Sequence, residues 1–99
     1  MPFFEVQKEI KTTIDYSTCK EISVIAVYNP EGRIKPLYAK LEDLYGNVCK
    51  AAIEGVKYTK DGKNKISYCC TYKSGDVLRE CMLTFYVTEH KWVLENPRY

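Results

Sequence analysis

The sequence predicts an all-β fold, an antiparallel meander of about six strands that forms a small barrel or a two-layer sandwich. Short runs rich in Val, Ile, Thr and aromatic residues recur along the chain, and turn residues separate them at intervals of roughly 8 to 14 positions. Within most runs apolar and polar side chains alternate with the period of two that a strand imposes. The nine tyrosines suit such a fold, because each offers a large apolar ring and keeps its hydroxyl at a rim. A chain of 99 residues supports one core, hiding roughly 60 to 70% of the surface its unfolded form exposes. We therefore expect a single domain over 1–99, its β core spanning 19–95.

Taken in order, the first 18 residues leave two readings open. Phe4, Val6, Ile10, Thr12 and Ile14 alternate as a strand would, whereas Phe3, Val6, Ile10 and Ile14 also share a helical face. The β-favouring "KTTID" inclines this loosely attached segment to strand. "ISVIAVY" at 22–28 is almost wholly apolar and reads as a strand buried on both faces or a central one. "NPEG" at 29–32 ends it, combining the extended bias before proline, a fixed φ and a glycine that tolerates positive φ. In "RIKPLYAKLEDLYG", Pro36 lacks the N–H of an interior ladder and is expected on an edge strand or a strand start. Residues 47–59 read as a strand bulged near Gly55, a residue that costs a helix interior about 1 kcal/mol relative to alanine. "KDGK" and "KSGD" predict turns around "KISYCCTY", "VLRECMLTFYV" follows, and "TEHK" turns the chain into "WVLE".

Composition narrows the functional classes. Fifteen basic and thirteen acidic residues give a net charge of +2, far from the excess of a dedicated nucleic-acid or membrane-surface protein. The amino terminus lacks a basic region followed by a continuous apolar stretch, so a signal peptide is not expected. "CMLTFYVT" is far shorter than the roughly 20 residues of a membrane-spanning helix. We expect a soluble cytoplasmic protein with no membrane partner.

Five cysteines make an odd set without a C-x₂₋₄-C pair, which argues against a disulfide scaffold or a structural zinc site and for buried, reduced thiols. Cys69 and Cys70 fall on opposite faces of one strand, their Cα atoms about 3.8 Å apart, too close for an unstrained bridge. His90 is the only histidine and stands in a predicted turn. Glu42 and Asp43 alternate across a strand, so they do not form an acid/base pair. Neither a phosphate-binding loop nor a hydrolase or dinucleotide motif occurs. No catalytic residue, cofactor or metal is expected, with a Cys/His-dependent enzyme as the third-ranked reading.

Two binding features remain. Lys57, Lys60, Lys63 and Lys65 are opposed within the hairpin by Asp61 alone and flanked by Tyr58 and Tyr68, a pattern in which lysines track phosphates while tyrosines stack on bases. The bland reading is a solvated hairpin tip whose lysines deter sheet aggregation. Separately, an edge strand carrying Pro36 offers itself to a protein partner or to a second copy of the chain. "ISVIAVYNPEGRIKPLYAKLED" and "LTFYVTEHKWVLE" resemble a group of short bacterial proteins found in clostridia and their relatives, with an I-x-P-L strand and a carboxy-terminal Trp strand. That resemblance rests on Gly32, Ile34, Pro36, Leu37 and Trp92; it implies a small bacterial β domain and no particular activity. The leading expectation is a small binding or interaction module, and the alternative is single-stranded nucleic-acid binding through the lysine hairpin.

Overall fold

The computed structural model describes residues 14–42 and 45–95. It is all-β, with strands β1 (Cys19–Glu21), β2 (Val24–Tyr28), β3 (Ile34–Glu42), β4 (Val48–Gly62), β5 (Lys65–Ser74), β6 (Val77–Tyr86) and β7 (Lys91–Glu95). All pairings are antiparallel, and the order β1-β7-β6-β5-β4-β3-β2 makes one curled sheet. β1 and β2 close the two ends of this order yet follow each other in the chain. At their joint Ile22 N–H donates to the Trp92 carbonyl (3.1 Å), and the Ser23 carbonyl accepts from Lys40 N–H (3.0 Å). The sheet thus curls until its two ends meet on consecutive residues, a barrel-like meander and not two stacked layers. The expected strand at 22–28 begins at Val24, because Ile22 and Ser23 are the hinge between the two ends. It is an edge strand with Ile25 and Val27 exposed, not the central or doubly buried strand its apolar run predicts: among the described residues it pairs with β3 alone, and nothing covers its outer face.

Alternation builds the inside. Ala39 and Leu41, Ala51, Tyr68, Cys70 and Tyr72, Leu83 and Phe85, and Trp92 and Leu94 turn to one face and form the core. The Trp92 ring centroid lies 5.0 Å from that of Phe85 and 5.6 Å from that of Tyr68. Burying each such large apolar side chain contributes about 1.5–3 kcal/mol. A second cluster of Ile14, Cys19, Tyr86 and Val93 occupies the other face of β6 and β7. Residues 14–18 form a turn there, with Asp15 Oδ1 accepting from Ser17 N–H (3.0 Å) and Ser17 Oγ (2.6 Å). The predicted strand therefore does not reach Ile14 and Asp15; its remainder, residues 1–13, lies outside the described residues. Thr84, with no exposed surface, satisfies its hydroxyl on Ser67 Oγ at 2.9 Å.

Of the two places expected for Pro36, the structure gives the strand start and not the edge strand: it is the third residue of β3. β3 lies between β2 and β4, and the sheet edges are β1 and β2. Pro36 is buried opposite Ala26 beside a register shift that leaves Leu37 unpaired on the β2 side, and pairing with β4 starts at Tyr38. Its missing N–H thus interrupts no ladder toward β4. β4 is bulged twice, at Glu54 and at Lys57, in line with the expected irregularity. The turn predicted at Asp61-Gly62 sits two residues later: β4 runs through Gly62, and Asn64 takes the left-handed conformation (φ 63°). Asn is among the few non-glycine residues that adopt it readily.

Candidate functional site

The structure scatters the lysine hairpin that the sequence singles out. Tyr68 points inward, is 4% exposed, and donates its hydroxyl to the Ile34 carbonyl at 2.5 Å, so its ring is not available to stack on a base. Tyr58, paired with Cys69, turns to the opposite face and is half exposed. Lys57 sits on a bulge and binds Glu80 Oε2 at 2.6 Å, a contact that holds its ammonium pKa above the ordinary value. Lys65 reaches over the Tyr86 ring, 5.9 Å from its centroid. Lys60 and Lys63 remain exposed. The correction has a simple cause: alternation tells which residues share a face, and tertiary packing decides which face is inside.

The same hairpin instead builds one wall of an open mouth in the curled sheet. A cavity of ≈ 550 Å³ lies between the β2–β3 and β4–β5 turns, lined by Tyr28, Arg33, Ile34, Asp61, Ile66, Tyr68 and Phe85 among others. Register explains the lining. Tyr28 pairs with Ile34 and Asp61 with Ile66, and both isoleucines pack against the core. Ile34, Ile66, Tyr68 and Phe85 make an apolar floor; Tyr28, 64% exposed, stands at the rim. Burial pushes the Tyr68 hydroxyl pKa up, while Arg33 pulls it down and Asp61 and Tyr28 push it up. Arg33, Asp61 and Tyr28 therefore act on one point, yet among the described residues Arg33 and Asp61 make no ion pair.

Both turns are held in place. Asn29 N–H donates to the Arg33 carbonyl (2.9 Å), Arg33 N–H to Asn29 Oδ1 (2.8 Å), and Gly32 N–H to the Asn29 carbonyl (2.8 Å). Asn64 Oδ1 accepts from Thr88 N–H (2.8 Å), Asn64 Nδ2 donates to Glu89 Oε1 (3.0 Å), and Val87 N–H donates to the Asn64 carbonyl (3.0 Å). A mouth with walls fixed before a ligand arrives loses less entropy on binding. Tyr28 and Arg33 escape a reading of the sequence because they flank a turn whose neighbour lies about thirty residues away, and no local pattern records that proximity.

Other chemistry-bearing residues stay apart. Cys69 and Cys70 are both buried and on opposite faces, pairing with Met82 and Cys81 respectively, as expected. Burial pushes the thiol pKa values of Cys70 and Cys81 up to about 12. Cys49 departs from the expected burial and is exposed, because it lies near the start of β4, paired with Leu41 of β3 but ahead of the pairing with β5, which begins at Ile53. His90 occupies the β6–β7 turn at φ 57° with its ring against Phe85, centroids 6.4 Å apart. Glu42 pairs with Lys20 at 3.0 Å, and Asp43 lies outside the described residues. No cluster of three or more metal-ligating side chains occurs among the described residues, and no helix among them is long and apolar enough to cross a membrane. Compared with known proteins, the chain matches no family model, no curated protein and no solved structure.

Proposed function

We propose that the chain is a small binding module that takes its ligand at the mouth between the β2–β3 and β4–β5 turns. One observation carries the reading: an apolar floor of Ile34, Ile66 and Phe85 lies beneath unpaired polar groups, Arg33 and Asp61, in a cavity of ≈ 550 Å³. Binding pockets have this composition and size, and barrel mouths are a preferred place for them. The ligand is small and planar, with its apolar face against Tyr28 and the floor and its polar edge toward Arg33 and Asp61. The module is not an enzyme in this reading. Its support is that the Cys70 and Cys81 thiols are held protonated by burial and make poor nucleophiles, while the His90 ring packs on Phe85. A bacterial cytosol is the setting we propose, one in which five free thiols stay reduced.

Tyr28 and Val27 make a matched test, since neighbours on one strand face opposite sides. Saturation-transfer NMR with indole as the probe should show saturable binding to the wild-type chain. Tyr28→Ala should weaken it several-fold, and Val27→Lys on the outer face should leave it unchanged. Loss of signal in Val27→Lys with retention in Tyr28→Ala would move the site off the mouth.

A further inference from the structure

We propose that the mouth reads the edge of a guanine base, an inference that rests on the mouth being the binding site. Arg33 brings only hydrogen-bond donors and the Asp61 carboxylate brings acceptors. Both line the cavity, both act on the Tyr68 hydroxyl, and among the described residues neither forms an ion pair that would consume it. A ligand satisfying both presents donors to Asp61 and acceptors to Arg33. Guanine does so most fully: its N1–H and N2–H suit a carboxylate, and its O6 and N7 suit a guanidinium. Adenine offers the carboxylate a single amino group beside an acceptor nitrogen, and uracil offers one N–H between two carbonyls, so each leaves Asp61 facing a lone pair.

The remaining parts of a nucleotide also find partners. Tyr28, exposed at the rim, offers a ring face for stacking, a contact that contributes about 1–3 kcal/mol per base in single-strand binders. Lys63 is exposed on the β4–β5 turn between Gly62 and Asn64, which both line the mouth, and would supply the ammonium for a phosphate at the entrance. The lysine hairpin thus serves in a different way from the one its sequence suggests, with Lys63 at the rim and Tyr28, not Tyr68, as the stacking ring. Guanine joined to phosphate occurs both as a free nucleotide and at an unpaired position of a single strand, and the chemistry of the mouth suits either source.

Calorimetry on the full chain decides the matter, using 5′-GMP, 5′-AMP, a guanine-containing single-stranded hexanucleotide and an all-adenine one. GMP should bind at least about tenfold more tightly than AMP, the discrimination one bidentate base contact supplies. Asp61→Asn should erase that preference and Arg33→Ala should weaken GMP by a similar factor; both side chains are exposed, so folding is not at stake. Tighter, salt-sensitive binding of the guanine hexanucleotide would support a single strand as the source, whereas GMP binding at least as tightly would support the free nucleotide. Equal affinity for GMP and AMP, or a preference untouched by Asp61→Asn, overturns the inference. If indole binds the mouth and no nucleotide does, the inference falls while the binding module stands; if neither binds, both fall together.

Discussion

At the residue scale, the five cysteines show how one side chain takes different characters from its surroundings. Cys70 has no exposed surface and Cys69 is 7% exposed, on opposite faces of β5. Cys19 is buried as well, and burial raises its thiol pKa; for Cys70 and Cys81 the rise is to about 12. Only a thiolate attacks an aromatic disulfide reagent at a useful rate, so a protonated, buried thiol is slow. In the native state at pH 8 we expect one fast thiol, Cys49, and release of all five only in denaturant, read by absorbance against time. Fast labelling of Cys69 and Cys70 beside Cys49 would contradict their burial. Cys81, directly opposite Cys70 and partly exposed, is the most sensitive check on the thiol environment.

Elements differ in how far the sequence reveals them. β5, β6 and β7 were legible because a strand writes its alternation locally: "ISYCCTY" and "LTFYV" show their parity without any knowledge of neighbours. β2 was legible as a strand and not as an edge, because its apolar run does not record which neighbours it lacks. Turn positions were less so. Asp61-Gly62 has the composition of a tight turn, yet Asn64 wins the positive-φ position because its side chain reaches Thr88 and Glu89, more than twenty residues on. The mouth was illegible for the same reason, being assembled from turns that only topology brings together. Asn64 therefore bears on both shape and site. Asn64→Ala should lower stability by about 1–3 kcal/mol in urea titrations, combining a strained φ with lost hydrogen bonds. Asn64→Gly keeps the backbone freedom and loses only the latch, so it should cost less. A glycine variant as stable as wild type would show that the latch to Thr88 contributes nothing.

At the scale of the whole molecule, the fold is a sheet that ends where it begins. The chain leaves β7's partner at Glu21, turns through Ile22 and Ser23, and becomes β3's partner at Val24, so a hinge of two residues joins the margins of a seven-stranded sheet. Lys20 and Glu42 add an ion pair across this seam (3.0 Å), and Lys91 and Glu21 add another (2.6 Å) between β7 and β1; both are exposed, so solvent screening leaves them little net stability. Closure at the seam by backbone hydrogen bonds and packing of Trp92 inside leave the turns at 29–32 and 63–64 to frame the opening. Outside, Ile25 and Val27 expose apolar surface on the β2 edge, where a competing binding mode by strand addition has a physical basis.

That competition defines the measurement. An amide ¹⁵N–¹H spectrum of the wild-type chain, taken with and without saturating indole, reports every backbone position at once. We expect the shifts to gather at residues 28–34, 61–66 and 85–87, the strand ends and turns around the mouth, with Ile25 and Val27 unmoved. Shifts that instead follow 24–27 and 35–38 along the outer face, leaving Arg33, Asp61 and Ile66 in place, would contradict the account and assign binding to the β2 edge.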